Sequence, residues 1–115
     1  MLKTSDRVLC ICFAIISLAA LYFTWSNNLA FFAMPDNGGF WGFIKGGMAN
    51  PAAASLSWDL TFLTLVVCTL MVQEARRWGV RYVWLYIVFS MSIAISVMFP
   101  LFLIARQIQI AKKRI

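Results

Sequence analysis

Histidine is absent from the 115 residues. With it go the usual nitrogen ligand for zinc or haem and the base of any Ser–His or Cys–His pair. Charge is also scarce: 12% of residues are charged and only four are acidic, against about 25% charged in an average soluble domain. That excludes a separate soluble domain beside the apolar segments. Cys10, Cys12 and Cys68 sit singly inside apolar runs; their odd number offers no disulfide framework, and they read as small buried hydrophobes. No glycine-rich loop ends in the lysine that a phosphate cradle needs. No catalytic, cofactor-binding or metal-binding residue is therefore assigned, and no cofactor is expected.

What is present is apolar: 63% of the chain is hydrophobic, enough for three spans of roughly 20 residues plus loops. The organising stretch runs from Asn50 to Arg81. Asn50 suits an N-cap and Pro51 the first helical position, where its missing N–H costs nothing. From Pro51 to Arg76 a helix extends about 39 Å at about 1.5 Å per residue, more than the roughly 30 Å of hydrocarbon. Asp59 then falls at or inside one edge of the apolar slab, and Glu74, Arg76, Arg77 and Arg81 form an interfacial charge cluster at the other.

The sequence thus predicts an all-α membrane protein, a single integral domain over 1–115 with spans at about 8–25, 53–74 and 82–105. The first span follows a basic leader and closes at Ser26-Asn27-Asn28. Ser17-Leu18-Ala19 has the small-x-small spacing of a signal cleavage site, but the long, Trp-ended run argues for a retained span. Residues 29–49 form an interfacial or re-entrant segment, turning at Asp36, Asn37 and Gly38 and carrying Phe40, Trp41 and Phe43 into the interface. Trp78, Tyr82, Trp84 and Tyr86 mark the entry of the third span, and Pro100 is expected to kink it. Residues 106–115 read as a basic surface tail.

In the second span Ser57, Thr61, Thr64 and Cys68 line one face, while Ser55, Asp59 and Gln73 project from the opposite one. Lipid suits neither face, so both should be covered, by the bundle or by another subunit. Three spans place the termini on opposite sides and leave the basic residues evenly divided; the dominant first span then favours a cytoplasmic N-terminus. Antiparallel packing of spans two and three makes Arg106 the expected partner of Asp59, a buried-charge clamp. Glu74 is expected to meet Arg77, Arg7 or Arg81.

Asn50-Pro51-Ala-Ala-Ala-Ser, Asp59-Leu60, Glu74-Ala-Arg76-Arg77-Trp-Gly79, Trp84 and Phe99-Pro100-Leu101-Phe102-Leu103 with Arg106 follow one another in an order that carries a likeness. The chain resembles, from about Leu18 to Arg106, the small bacterial three-span membrane proteins grouped as domain of unknown function 2834. The family's usual ending has an acidic residue after the arginine, where Gln107 stands here. The resemblance implies an integral membrane fold in the bacterial inner membrane and supplies no activity.

The leading functional expectation is a non-enzymatic, multi-pass membrane protein that packs with itself or a larger membrane complex; its basic residues serve the bilayer, and no nucleic acid is expected. One alternative is a membrane enzyme acting on a lipid or isoprenoid, similar to carotenoid cyclases, with Asp59 as the acid. That needs a second carboxylate in the same cavity, and Glu74 lies across the bilayer. The other alternative is a small multidrug-type transporter subunit, which would have four spans and a carboxylate in the first.

Overall fold

The Asn50 side chain accepts the Ala53 N–H at 2.8 Å, and Pro51 opens the longest uninterrupted apolar helix after the first. That helix, α3 (Pro51–Trp78), ends where Gly79 turns left-handed at φ 76° and returns its N–H to Ala75 O at 2.8 Å. In the computed structural model, which describes residues 3–113, it is one of five helices among the described residues. The others are α1 (Thr4–Ala33), α2 (Gly39–Gly47), α4 (Val83–Ser92) and α5 (Ile95–Lys113). Together they form a rod of 56 × 24 × 24 Å.

The first helix is longer than the sequence suggests. Ser26 and Asn27 do not close it; both donate back to the Phe23 carbonyl, at 3.3 and 2.7 Å. Side chains that can satisfy themselves on the preceding turn let the helix continue to Ala33. The reversal comes afterwards, with Asp36 at φ 57° and Gly38 at φ 76°. Asn37 ties it, donating to the Phe32 and Met34 carbonyls at 2.9 and 3.0 Å and accepting the Gly39 N–H at 2.6 Å.

The short helix α2 then folds back: Phe43 stacks on Phe32 and meets Phe31 edge-on. Ser57 Oγ donates to the Gly47 carbonyl at 2.9 Å, seating α2 on α3. Gly42 is required here, because a Cβ would overlap the Asn37 carbonyl.

The expected third span, 82–105, is two helices. The chain breaks at Ile93 and Ala94, and α5 then runs through Pro100 and on through Arg106 to Lys113, so the expected tail is helix. No glycine or proline stands at the break. It is held from outside: Trp25 Nε1 donates to Ile93 O at 3.0 Å, and Ser17 Oγ to Val97 O at 2.8 Å. Pro100, buried in the second turn of α5, lies six residues beyond the break.

The consequence is a helical hairpin. Tyr86 of α4 meets Phe102 of α5 edge-on with ring centroids 5.6 Å apart, so α5 returns along α4. It runs antiparallel to α1 and parallel to α3, at whose end Lys113 Nζ meets Arg77 O at 3.5 Å. Both ends of the described chain therefore lie at the same end of the rod, not at opposite ends as three simple crossings require. The core is the seam of these helices, Val67, Met71 and Ala75 of α3 around Phe102, with Met71 and Phe102 fully buried.

Candidate functional site

Two polar contacts close the end of the rod that carries the termini. Arg106 Nε bonds Glu74 Oε2 at 2.7 Å, and the same oxygen accepts Trp78 Nε1 at 3.0 Å. Glu74 is 13% exposed and Arg106 29%. One turn of α3 places Glu74 and Trp78 on the same side, and the parallel run of α5 brings Arg106 level with them.

Across the bundle Asp6, 2% exposed, accepts Gln107 Nε2 at 2.6 Å and the Lys3 N–H at 2.9 Å. An acidic residue at position 107 would face Asp6 charge to charge. The hub helix α5 is thus fastened at neighbouring positions to α1 on one side and α3 on the other.

This arrangement corrects the expected clamp. Asp59 is exposed on α3, fifteen residues before Glu74, or about 22 Å away at about 1.5 Å per residue. Arg106 belongs to the other end because α5 runs parallel to α3 where an unbroken third span would run antiparallel. Among the described residues Glu74 forms its ion pair with Arg106 and none with Arg7 or Arg81, while Arg77 acts on its charge from a greater distance. Arg77 instead lies 5.1 Å from the Trp78 ring centroid, and Arg76 and Arg77 are exposed in the last turn of α3. Arg81 lies in the connection to α4.

The cysteines are free, Cys12 exposed on α1 and Cys10 and Cys68 half-buried. The roles of Asp6, Ser17, Trp25 and Gln107 are not legible in the sequence, since each acts through a partner more than sixty residues away.

Above the hairpin tip lies a cavity of about 380 Å³. Its floor is the broken segment around Ser92 and Ser96, and its walls include Trp25 and Asn28 of α1, Phe43 of α2 and Thr64 of α3. That lining is mostly apolar, with Leu60, Met91, Ile93 and Ile95 beside the aromatic rings, and it holds hydroxyls and an amide but no carboxylate.

Three helices, α1, α3 and α5, are long and apolar enough to cross a membrane, and large hydrophobic side chains such as Leu18, Phe62 and Val66 point outward. An exterior of that kind, on a chain without strands among the described residues, defines an all-α, multi-pass membrane protein. Within that class the chain belongs to the family described as protein of unknown function DUF2834, whose family model matches residues 12–108. No curated protein and no solved structure matches it.

Proposed function

We propose that this protein is a non-enzymatic membrane subunit that associates laterally with a different membrane protein through the outer face of α3. The observation that carries the reading is a carboxylate on an exposed helical stripe. Ser55, Asp59, Phe62, Val66, Thr69 and Gln73 fall within about 40° of one line at about 100° per residue, and all are exposed. The opposite stripe is partly covered from within, with Ser57 on α2, Thr64 on the cavity and Cys68 half-buried, while Thr61 is exposed. In all, 11% of the most apolar window of α3 is buried, so the bundle leaves the outer stripe open. Shallow grooves run along it beside Thr69 and Gln73.

Asp59 has no ion pair or hydrogen bond among the described residues, and a carboxylate inside the apolar layer requires a counter-group. Two copies inserted the same way and joined face to face along this stripe would set Asp59 against Asp59. A partner helix with an arginine, lysine or amide at that depth removes the conflict. Neither alternative gains support from the cavity, which supplies no second carboxylate to an isoprenoid enzyme and no ionisable group to a proton-coupled transporter.

A photo-crosslinking residue placed at Phe62 or Val66 in native membranes tests this. The expected product is one dominant adduct with a different membrane protein, weakened by Asp59→Asn and absent when the probe sits at Leu18 on α1. Adducts only with a second copy, or none, contradict the proposal.

A further inference from the structure

Whole, α5 has the length and composition of a crossing, but its apolar part is shorter, and α4 is shorter still. At about 1.5 Å per residue the ten residues of α4 rise about 15 Å, and the apolar part of α5, from Ile95 to Ala105, about 16 Å. A crossing needs roughly 30 Å.

Two rulers agree on where the tip stops, and a third brackets it. Thr64, beside the tip, lies ten residues above Glu74 on α3, about 15 Å. Ile95 lies eleven residues above Arg106 on α5, about 16 Å. On α1, Ser17, bonded to Val97 one turn below the tip, lies eleven residues above Asp6, about 16 Å, and Trp25, bonded to Ile93 in the tip, lies nineteen above it, about 28 Å. The outward apolar residues of α3 run from Leu56 to Leu70, and the tip sits near the middle of that belt.

At that depth the tip is polar. The N–H groups of Ala94, Ile95 and Ser96 and the carbonyls of Ser90, Met91 and Ser92 find no partner among the described residues. The side chains of Asn28, Ser92 and Ser96 likewise have none. Hydrocarbon cannot face such groups; broken helices at mid-depth survive where they line a cavity that water enters, and this break lines one. Below the tip the path closes on buried Val97, Met98 and Phe102.

Charge gives the sense of insertion. Of the nine basic residues described, Lys3, Arg7, Arg76, Arg77, Arg81, Arg106, Lys112 and Lys113 gather at the end with the termini, and Lys45 stands alone at the other. The even division expected of three crossings becomes eight against one, which puts the terminal end in the cytoplasm.

We propose that the α4–α5 hairpin is re-entrant and that the cavity above its tip is a blind, water-filled vestibule, open to the non-cytoplasmic face and admitting small polar solutes to the bilayer midplane. The vestibule lies inside the bundle and does not depend on what binds the outer face of α3.

The test uses the full chain with its three cysteines replaced by alanine and a single cysteine introduced by Ser92→Cys, Ser96→Cys or, as a lipid-facing control, Leu101→Cys. A permanently charged, membrane-impermeant methanethiosulfonate is added from either face. Ser92→Cys and Ser96→Cys should react from the face opposite the termini at least tenfold faster than Leu101→Cys. Reaction from the terminal face, or rates equal to the control, would overturn the proposal. Should the substitutions unfold the protein, the amide signals of Ala94–Ser96 in the unmodified chain in nanodiscs decide. Broadening by a water-soluble nickel chelate supports the vestibule, and broadening by dissolved oxygen alone refutes it.

Discussion

Replacing Arg106 by methionine keeps an unbranched apolar stem and removes the guanidinium, leaving Glu74 at the membrane edge with only the Trp78 N–H. Exposed ion pairs contribute about 0.2–1 kcal/mol, and breaking a buried one costs about 3–5 kcal/mol. Glu74 and Arg106, at 13% and 29% exposed, fall between these limits, and a net charged hydrogen bond is worth about 1.5–3 kcal/mol. Arg106→Met should therefore cost about 2 kcal/mol, about a 30-fold shift in the folding equilibrium. Glu74→Gln keeps an acceptor for both donors and should cost about 1 kcal/mol. Because the two share one contact, the double variant should lose about 2 kcal/mol, not the sum. Unfolding in mixed micelles by titrated dodecyl sulfate measures all three. Additivity within about 0.5 kcal/mol, or an Asp59→Asn loss in detergent as large as that of Arg106→Met, would refute the pairing.

Other consequences are local. Phe102→Ala empties the best-buried site in the seam and should cost about 2–3 kcal/mol in the same titration, below the ~3–5 kcal/mol seen in water because lipid already solvates apolar groups. Gly42→Ala must push the Asn37 carbonyl aside and should open the 34–50 region to protease in detergent. Gly46→Ala, whose new methyl meets only the Phe31 ring edge at 4.0 Å, should leave cleavage unchanged.

The parts of this architecture written in neighbouring residues were legible before any coordinates. Asn50 and Pro51 set the start of α3, Gly79 sits where it ends, and the stripes of α3 follow from spacing alone. The chain-reversal residues around Asn37 were visible for the same reason. The break at Ile93 and Ala94 was not: those residues carry no breaker, and the bonds that hold the segment, from Trp25 to the Ile93 carbonyl and from Ser17 to that of Val97, come from far away in sequence. Pro100 removes a hydrogen bond, yet α5 runs on through it and the break falls six residues earlier.

Missing the break reversed the direction assigned to the segment that carries Arg106. That single reversal moved the arginine from Asp59 to Glu74, and the termini from opposite ends to the same one. Asp6 was overlooked because a carboxylate beside Lys3 and Arg7 reads as leader, whereas burial against Gln107 shows only once α5 returns along α1.

Reporter fusions at each terminus of the full chain, with alkaline phosphatase and a fluorescent protein exchanged between the two positions, bear most directly on this hairpin. Fluorescence with no phosphatase activity at both termini is the expected result, since the chain enters the bilayer at α4 and returns to the same face through α5. Phosphatase activity at one terminus and fluorescence at the other would mean that residues 82–105 cross the bilayer once, and the parallel pairing of α3 with α5 would be wrong.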